Sequence, residues 1–268
     1  MYLRVVSDPT TLELFIICLV AFFAAILTFF SGFGLGTILT PVLMIFFPVE
    51  TAIALTGIVH FINNVFKIIL VGKHADFKVL KQFGIPSVIF AFIGAMVLLN
   101  IPDSQAFFEY ELMGKQFEVY PLKFTIAVLL FIFAAMDLIP YFRDLSFGRD
   151  KLALGGALSG FFGGLSGNQG ALRTAFLIKA GLSKTSFIGT AVVVSTFVDF
   201  TRIGVYATRF GDAELYENMD LMIFSTLAAI LGAFLGNKLL KKVTLVSLQI
   251  IVAIMLLVLS LALAIGLV

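Results

Sequence analysis

The chain has 268 residues, 60% of them hydrophobic and 13% charged, with a net charge of +2 and a mean hydropathy of +1.11. Soluble domains carry about 45–50% apolar residues, so this composition excludes a soluble globular protein, and the lack of period-2 alternation excludes a membrane β-barrel. The lone Cys18 excludes an intramolecular disulfide and a cysteine metal site.

In chain order, Leu12–Phe30 is the first apolar run long enough to cross a hydrocarbon core of roughly 30 Å. It follows the acidic stretch SDPTTLE, with Asp8 and Glu13 on either side of its start, so no cleaved signal peptide is expected. The next stretch, SGFGLGTILTP at Ser31–Pro41, places three glycines and a proline inside apolar sequence. Thr37–Phe47 beyond it is short, about 15–18 Å as helix, or half a bilayer. Thr51–Val71 carries His60, Asn63 and Asn64 in mid-span, and Lys67 about a turn from its inner end, where a snorkelling cation is expected. A basic connection follows (Lys73, Lys78, Lys81), then Val79–Leu99 and an acidic connection over Asn100–Lys123 (Asp103, Glu109, Glu111, Glu118). Phe124–Tyr141 carries Asp137 near its inner end and leads into a second basic connection (Arg143, Arg149, Lys151).

The later part repeats this order. Leu152–Ala180 contains SGNQGALRTA at Ser166–Ala175, with Arg173 where hydrocarbon would be expected. Ser183–Ala207 carries Ser195, Thr196, Asp199 and Arg202, the last two spaced i, i+3 as a local ion pair. An acidic connection (Asp212, Glu214, Glu217, Asp220), the apolar Leu221–Leu239, a basic connection (Lys238, Lys241, Lys242) and the apolar Leu245–Val268 complete it. All six tyrosines fall in connections or at span ends, as an interfacial belt places them.

The positive-inside rule assigns the basic connections to the cytoplasm. Eleven lysines and arginines then lie inside and four outside (Arg4, Lys115, Lys123, Arg209), with Lys67, Arg173 and Arg202 within apolar segments. On that path Leu12–Phe47 enters and returns, Leu152–Ala180 does the same from the other side, and three crossings follow each hairpin. Three is odd, so the halves have opposite orientation and both termini lie outside. The predicted fold class is an all-α polytopic membrane protein of two inverted-topology repeats, each a re-entrant or broken helical hairpin with a Gly-rich turn followed by three transmembrane helices. The first repeat spans 1–148, with its hairpin at 12–47 and helices at about 51–71, 79–99 and 124–142. The second spans 149–268, with its hairpin at 152–181 and helices at about 183–207, 220–240 and 245–267. Weak identity supports the repeat: at an offset of 134, Gly36 meets Gly170, Thr40 meets Thr174, Leu43 meets Leu177 and Thr56 meets Thr190.

Two half-helices beginning at glycine turns near the midplane would bring two positive dipole ends together, which is a place for an anion. Lipid cannot satisfy the backbone there, so the turns face protein or a water-filled cavity. The candidate binding residues are Gly34, Gly36, Thr37, Thr40, His60, Asn63, Asn64, Asn168, Gln169, Gly170, Arg173 and Ser195, with Asp199 and Arg202 as a coupling or ion pair. A planar guanidinium at Arg173 suits an oxyanion; pairing with Asp137 or Asp199 is its structural alternative. Gly156, Gly160 and Gly164, spaced by four, read as helix packing.

At the two turns the chain resembles the TauE/SafE family of sulfite and organosulfonate exporters. The resemblance rests on SGFGLGTILTPVLMIFFPVETAIALTG and GGALSGFFGGLSGNQGALRTAFLIKAGLSKTSFIGTAV, each opening one half. It departs from the family pattern where Leu35 interrupts the first glycine run and Asn168-Gln169 replaces glycine in the second. The resemblance implies export of sulfite or a related sulfur-containing anion across the cell membrane; with the inverted hairpins, the expected protein is a secondary transporter working by alternating access at a midplane site. An anion channel, a transporter of another small carboxylate or oxyanion, and an intramembrane enzyme built on Asp137 and Asp199 stand beside it. No Walker A loop is present. The expected partners are a small anionic substrate and the lipid bilayer, with no cofactor and no nucleic acid.

Overall fold

The structure is a computed structural model that describes residues 10–31, 34–102, 105–143, 145–208, 218–239 and 245–267. Arg4, Asp8, Gly32, Asp103, Arg209, Asp212, Glu214, Glu217, Lys241 and Lys242 lie outside the described residues, so the charge bias of those positions has no structural counterpart.

Ten helices carry the fold among the described residues: α1 (Thr11–Ser31), α2 (Gly36–Phe46), α3 (Val49–Val71), α4 (Phe77–Leu99), α5 (Pro121–Leu138), α6 (Leu152–Ser166), α7 (Gly170–Leu177), α8 (Lys184–Tyr206), α9 (Met219–Leu239) and α10 (Leu245–Ala264). Six of them, α1, α3, α4, α5, α8 and α9, are long and apolar enough to cross a membrane. The chain is an all-α polytopic membrane protein. Helix starts follow local chemistry. The Asp76 carboxylate caps α4 by accepting from the Val79 N–H at 2.9 Å, and the Ser183 hydroxyl caps α8 by accepting from the Ser186 N–H at 3.2 Å. Pro121 opens α5, where its missing N–H costs nothing.

The two short helices fall at the glycine turns. α2 has 11 residues and α7 has eight, about 16 and 12 Å long, against about 31 Å for the 21 residues of α1. Pro41 sits inside α2 and removes the helical bond to the Thr37 carbonyl.

Packing follows small residues. Gly156, Gly160 and Gly164 of α6 lie against the backbone of Phe83, Ser87 and Ala91 of α4, so closely that a Cβ at any of the three would overlap a carbonyl oxygen. Gly232 of α9 meets the Phe22 carbonyl of α1 in the same manner, and Gly236 lies in tight but not overlapping contact with Ile26 and Phe29. The other close pairs are α5 with α10, α3 with α8, α8 with α4, and α9 with α3. These pairings interchange when α1 is exchanged with α6, α3 with α8, α4 with α9 and α5 with α10.

The acidic connection is more than the loop its polarity suggests. It holds a two-stranded antiparallel hairpin, β1 (Phe108–Leu112) and β2 (Lys115–Val119), turned by Met113 and Gly114 at φ 53° and 73°. Positive φ at both central residues matches the twist of paired strands. Tyr110 stacks on Phe117 at 5.1 Å, and its hydroxyl donates to the Ile265 carbonyl at 2.6 Å, so the hairpin leans on the end of α10.

Candidate functional site

The first glycine turn joins α1 to α2 and the second joins α6 to α7. Gly34 is needed for a close approach: a Cβ there would stand 2.8 Å from His60 Nε2. Gly167 ends α6 with φ 75°, a left-handed C-cap whose N–H bonds the Gly163 carbonyl at 3.0 Å. The turns touch. Thr37 Oγ1 donates to Asn168 Oδ1 at 3.1 Å, and a Cβ on Gly36 would sit 3.6 Å from the Gly167 carbonyl oxygen.

Helix starts at the turns differ. In α2 the Thr37 and Ile38 N–H groups fold back onto the Gly34 and Leu35 carbonyls at 3.1 Å. In α7 the first backbone bond runs from the Arg173 N–H to the Gln169 carbonyl at 3.0 Å, so the N–H groups of Gly170, Ala171 and Leu172 precede it. The positive end that faces outward from a helix start is therefore stronger at α7.

Behind the turns, α3 and α8 face each other with matching periodicity. His60, Asn64 and Lys67 stand at i, i+4 and i+7 on α3, and Ser195, Asp199 and Arg202 at i, i+4 and i+7 on α8. This spacing puts each trio on one helix face. Asp199 is the hub. Its Oδ2 lies 2.7 Å from His60 Nδ1 and accepts from Asn64 Nδ2 at 3.0 Å, while Oδ1 accepts from Arg202 Nε at 3.0 Å. The i, i+3 pair of Asp199 and Arg202 is present as expected, with Nη2 also 3.0 Å from Oδ1. Arg173, in the first turn of α7, donates from Nη1 to the Ser195 hydroxyl. Asp137 lies away from this group: it is buried and forms no ion pair among the described residues, and its Oδ2 has no hydrogen-bond partner there.

A cleft of about 20 Å³ opens between these elements. Gly34, His60, Asn64, Arg173 and Ser195 of the expected set line it, together with Thr28, Lys67 and the apolar Phe29, Ile188, Ala191 and Val192. Gly36, Thr37, Asn168, Gln169 and Gly170 form the buried turns beside it, Asp199 and Arg202 back it, and Thr40 and Asn63 are buried outside its lining. Lys67 departs from the expectation of a snorkelling cation. Its side chain is 3% exposed, with Nζ 5.6 Å from the Phe29 ring centroid. The sequence signal for this placement is its helical register with His60 and Asn64.

Several buried polar atoms at or beside the turns have no hydrogen-bond partner among the described residues: Thr56 Oγ1, Asn168 Nδ2, Gln169 Oε1 and Thr174 Oγ1. A buried polar group costs free energy unless water or a ligand meets it, so this arrangement suits a polar guest. Lys67, Arg173 and Arg202 are buried close to the Asp199 carboxylate, a concentration of charge within apolar helices.

A family model described as Sulfite exporter TauE/SafE matches residues 17–263 of the chain. No curated protein and no solved structure matches.

Proposed function

The chain belongs to the TauE/SafE sulfite exporter family, a family of membrane transporters and not of enzymes, and from that premise we propose that it carries a small sulfur oxyanion by alternating access at the cleft between the glycine turns. The observation that carries this reading is the convergence of Arg173, Ser195, His60 and Asn64 with Gly34 on one buried cleft. In this reading Arg173 is the charge partner of the anion, held in place by Ser195. The backbone N–H groups at the start of α7 add dipolar stabilisation, and Asn168 and Gln169 offer amide contacts at the turn. Asp199 binds no substrate. It orients His60 and Asn64 and neutralises Arg202.

Two inverted repeats, 1–148 and 149–268, with both termini outside, complete the proposal. The exchange of packing partners between α1, α3, α4, α5 and α6, α8, α9, α10 supports the pseudo-two-fold relation, and inverted repeats are a recurring basis for alternating access. The cleft's 20 Å³ suits about one water. A sulfur oxyanion of four or more heavy atoms needs more room, so binding and release require the contact between the turns to part.

The test is flux of labelled sulfite through proteoliposomes, with wild-type protein and Arg173→Gln reconstituted equally. Wild-type flux that collapses in the variant is the expected result. Equal flux in both would remove Arg173 from the site.

A further inference from the structure

A groove of about 430 Å³ runs between α4 and α8 and shares no lining residue with the cleft. Its α4 wall follows one helix face, through Phe77, Lys81, Ile85 and Ile89 at four-residue spacing. From Phe77 to Ile89 the rise is about 18 Å, more than half of a hydrocarbon core. Val194 and Phe197 belong to the α8 wall, and Gly84 keeps the floor low, where a Cβ would stand 3.4 Å from Val194 Cγ2. Every lining residue except Lys81 is apolar or glycine. The wall is interrupted at Leu80–Gly84 by a π turn, in which the Ile85 N–H bonds the Leu80 carbonyl. Pro86 follows it without an N–H to continue that register. Single wide turns of this kind inside α-helices are common at functional sites.

The two helices start from the same side of the bundle. The Asp76 N–H donates to Thr190 Oγ1 at 2.9 Å, and the Ser186 hydroxyl donates to the His74 carbonyl at 2.7 Å. The groove is therefore basic at one end and apolar beyond it. Lys78 and Lys81 stand there at i, i+3 spacing, both exposed, and neither forms an ion pair among the described residues. Asp76, the carboxylate before them, is engaged in capping α4. The Lys81 ammonium lies 4.9 Å from the Phe77 ring centroid, which holds it at the mouth of the groove.

We propose that this groove binds one anionic phospholipid, with an acyl chain along the α4 wall and the phosphate at Lys81. The inference does not rest on the transport reading above. Charge complementarity selects the occupant. A second copy of the chain laid into the groove would cover the Lys81 ammonium with apolar surface and give it no counter-charge. A zwitterionic lipid brings an ammonium of its own beside its phosphate. An anionic headgroup brings the counter-charge alone, and a lysine at the membrane surface attracts it. The volume is within the range of roughly 300–1,000 Å³ that holds a small ligand. The lipid would lie against the outer face of α8, whose other face carries Ser195 and Asp199 towards the cleft.

The chain contains no tryptophan, so Ile89→Trp places a single fluorophore at the far end of the groove. Leu227→Trp places one on an exposed face of α9 as the control. Each full-length variant is reconstituted in phosphatidylcholine vesicles that contain rising fractions of phosphatidylglycerol or phosphatidylcholine brominated on the acyl chains. In Ile89→Trp, half-maximal quenching by the brominated phosphatidylglycerol should come at a mole fraction about fivefold lower, the factor that one lysine near the surface supplies. Leu227→Trp should be quenched equally by both lipids. Adding Lys81→Gln to Ile89→Trp should abolish the preference, and Lys81→Arg should keep it. Heat stabilisation of the detergent-solubilised protein by phosphatidylglycerol over phosphatidylcholine, present in the wild type and lost in Lys81→Gln, reads the same site without the tryptophan. Equal quenching by the two lipids in Ile89→Trp, a preference that survives Lys81→Gln, or one of the same size in Leu227→Trp overturns the inference. Quenching of Ile89→Trp by neither lipid would mean that a second copy of the chain covers the groove, and overturns it as well.

Discussion

Thr37 and Asn168 lie 131 residues apart in sequence, yet the threonine hydroxyl donates to the asparagine amide oxygen at 3.1 Å and ties one glycine turn to the other. A carrier that works by separating these turns must break this bond in each cycle.

A bridge at that point should therefore stop transport. With Cys18 replaced by serine so that no other thiol remains, Thr37→Cys combined with Asn168→Cys, joined by a short thiol-reactive linker, should lose sulfite flux and regain it on cleavage of the linker. Undiminished flux through the bridged protein would show that the turns stay together during transport.

Gly34→Ala tests the approach of the first turn to α3. The new Cβ would stand 2.8 Å from His60 Nε2 and push the imidazole off its 2.7 Å contact with Asp199. Overpacking of this kind costs about 1–3 kcal/mol. The expected result is a lower midpoint of thermal unfolding in detergent, together with reduced flux.

The α4–α6 contact is tested by a pair of glycine variants. Gly160→Val would drive its side chain into the Ser87 carbonyl, and loss of monodisperse protein on size-exclusion chromatography is expected. Gly204, also helical, has open space where a Cβ would stand, with no neighbouring heavy atom within 4 Å. Gly204→Ala should therefore stabilise by about 0.5–1 kcal/mol through helix propensity. If both variants behave alike, the backbone contact is not what holds this helix pair.

Asp199→Asn removes the carboxylate that neutralises Arg202 and orients His60 and Asn64. Leaving a buried cation without its partner costs about 3–5 kcal/mol. The double variant Asp199→Asn/Arg202→Gln should recover part of that loss in a chemical or thermal unfolding cycle. Strict additivity of the two single changes would mean that the pair is not coupled.

Much of the architecture is legible in the sequence because a bilayer imposes lengths. Apolar runs of about twenty residues announce crossing helices, and SGFGLG and GLSGNQG stand out because glycine has little other reason to cluster in hydrocarbon. The i, i+3 spacing of Asp199 and Arg202 also points to its contact. Lys67 misleads because distance from a helix end, counted along the chain, does not reveal which face the neighbouring helices cover. The hairpin at Phe108–Val119 escapes notice because its strands are five residues each and mostly exposed, so alternation has little core to record. The pairing of Arg173 with Ser195 depends on which turn of α8 faces α7, and no one-dimensional pattern carries that register.

The glycine-lined backbone contacts have an assembly consequence. α6 seats against α4, and α1 against α9, so the first helix of each hairpin finds its closest neighbour on the far side of the chain's midpoint. A polypeptide released after residue 148 would expose the bare backbone groove that α6 fills, and one beginning at residue 149 would lack the surface on which α6 rests. Neither fragment should accumulate in a membrane by itself, whereas the two produced together should rescue each other from degradation, much as the two sides of a zip are useful only when both are present.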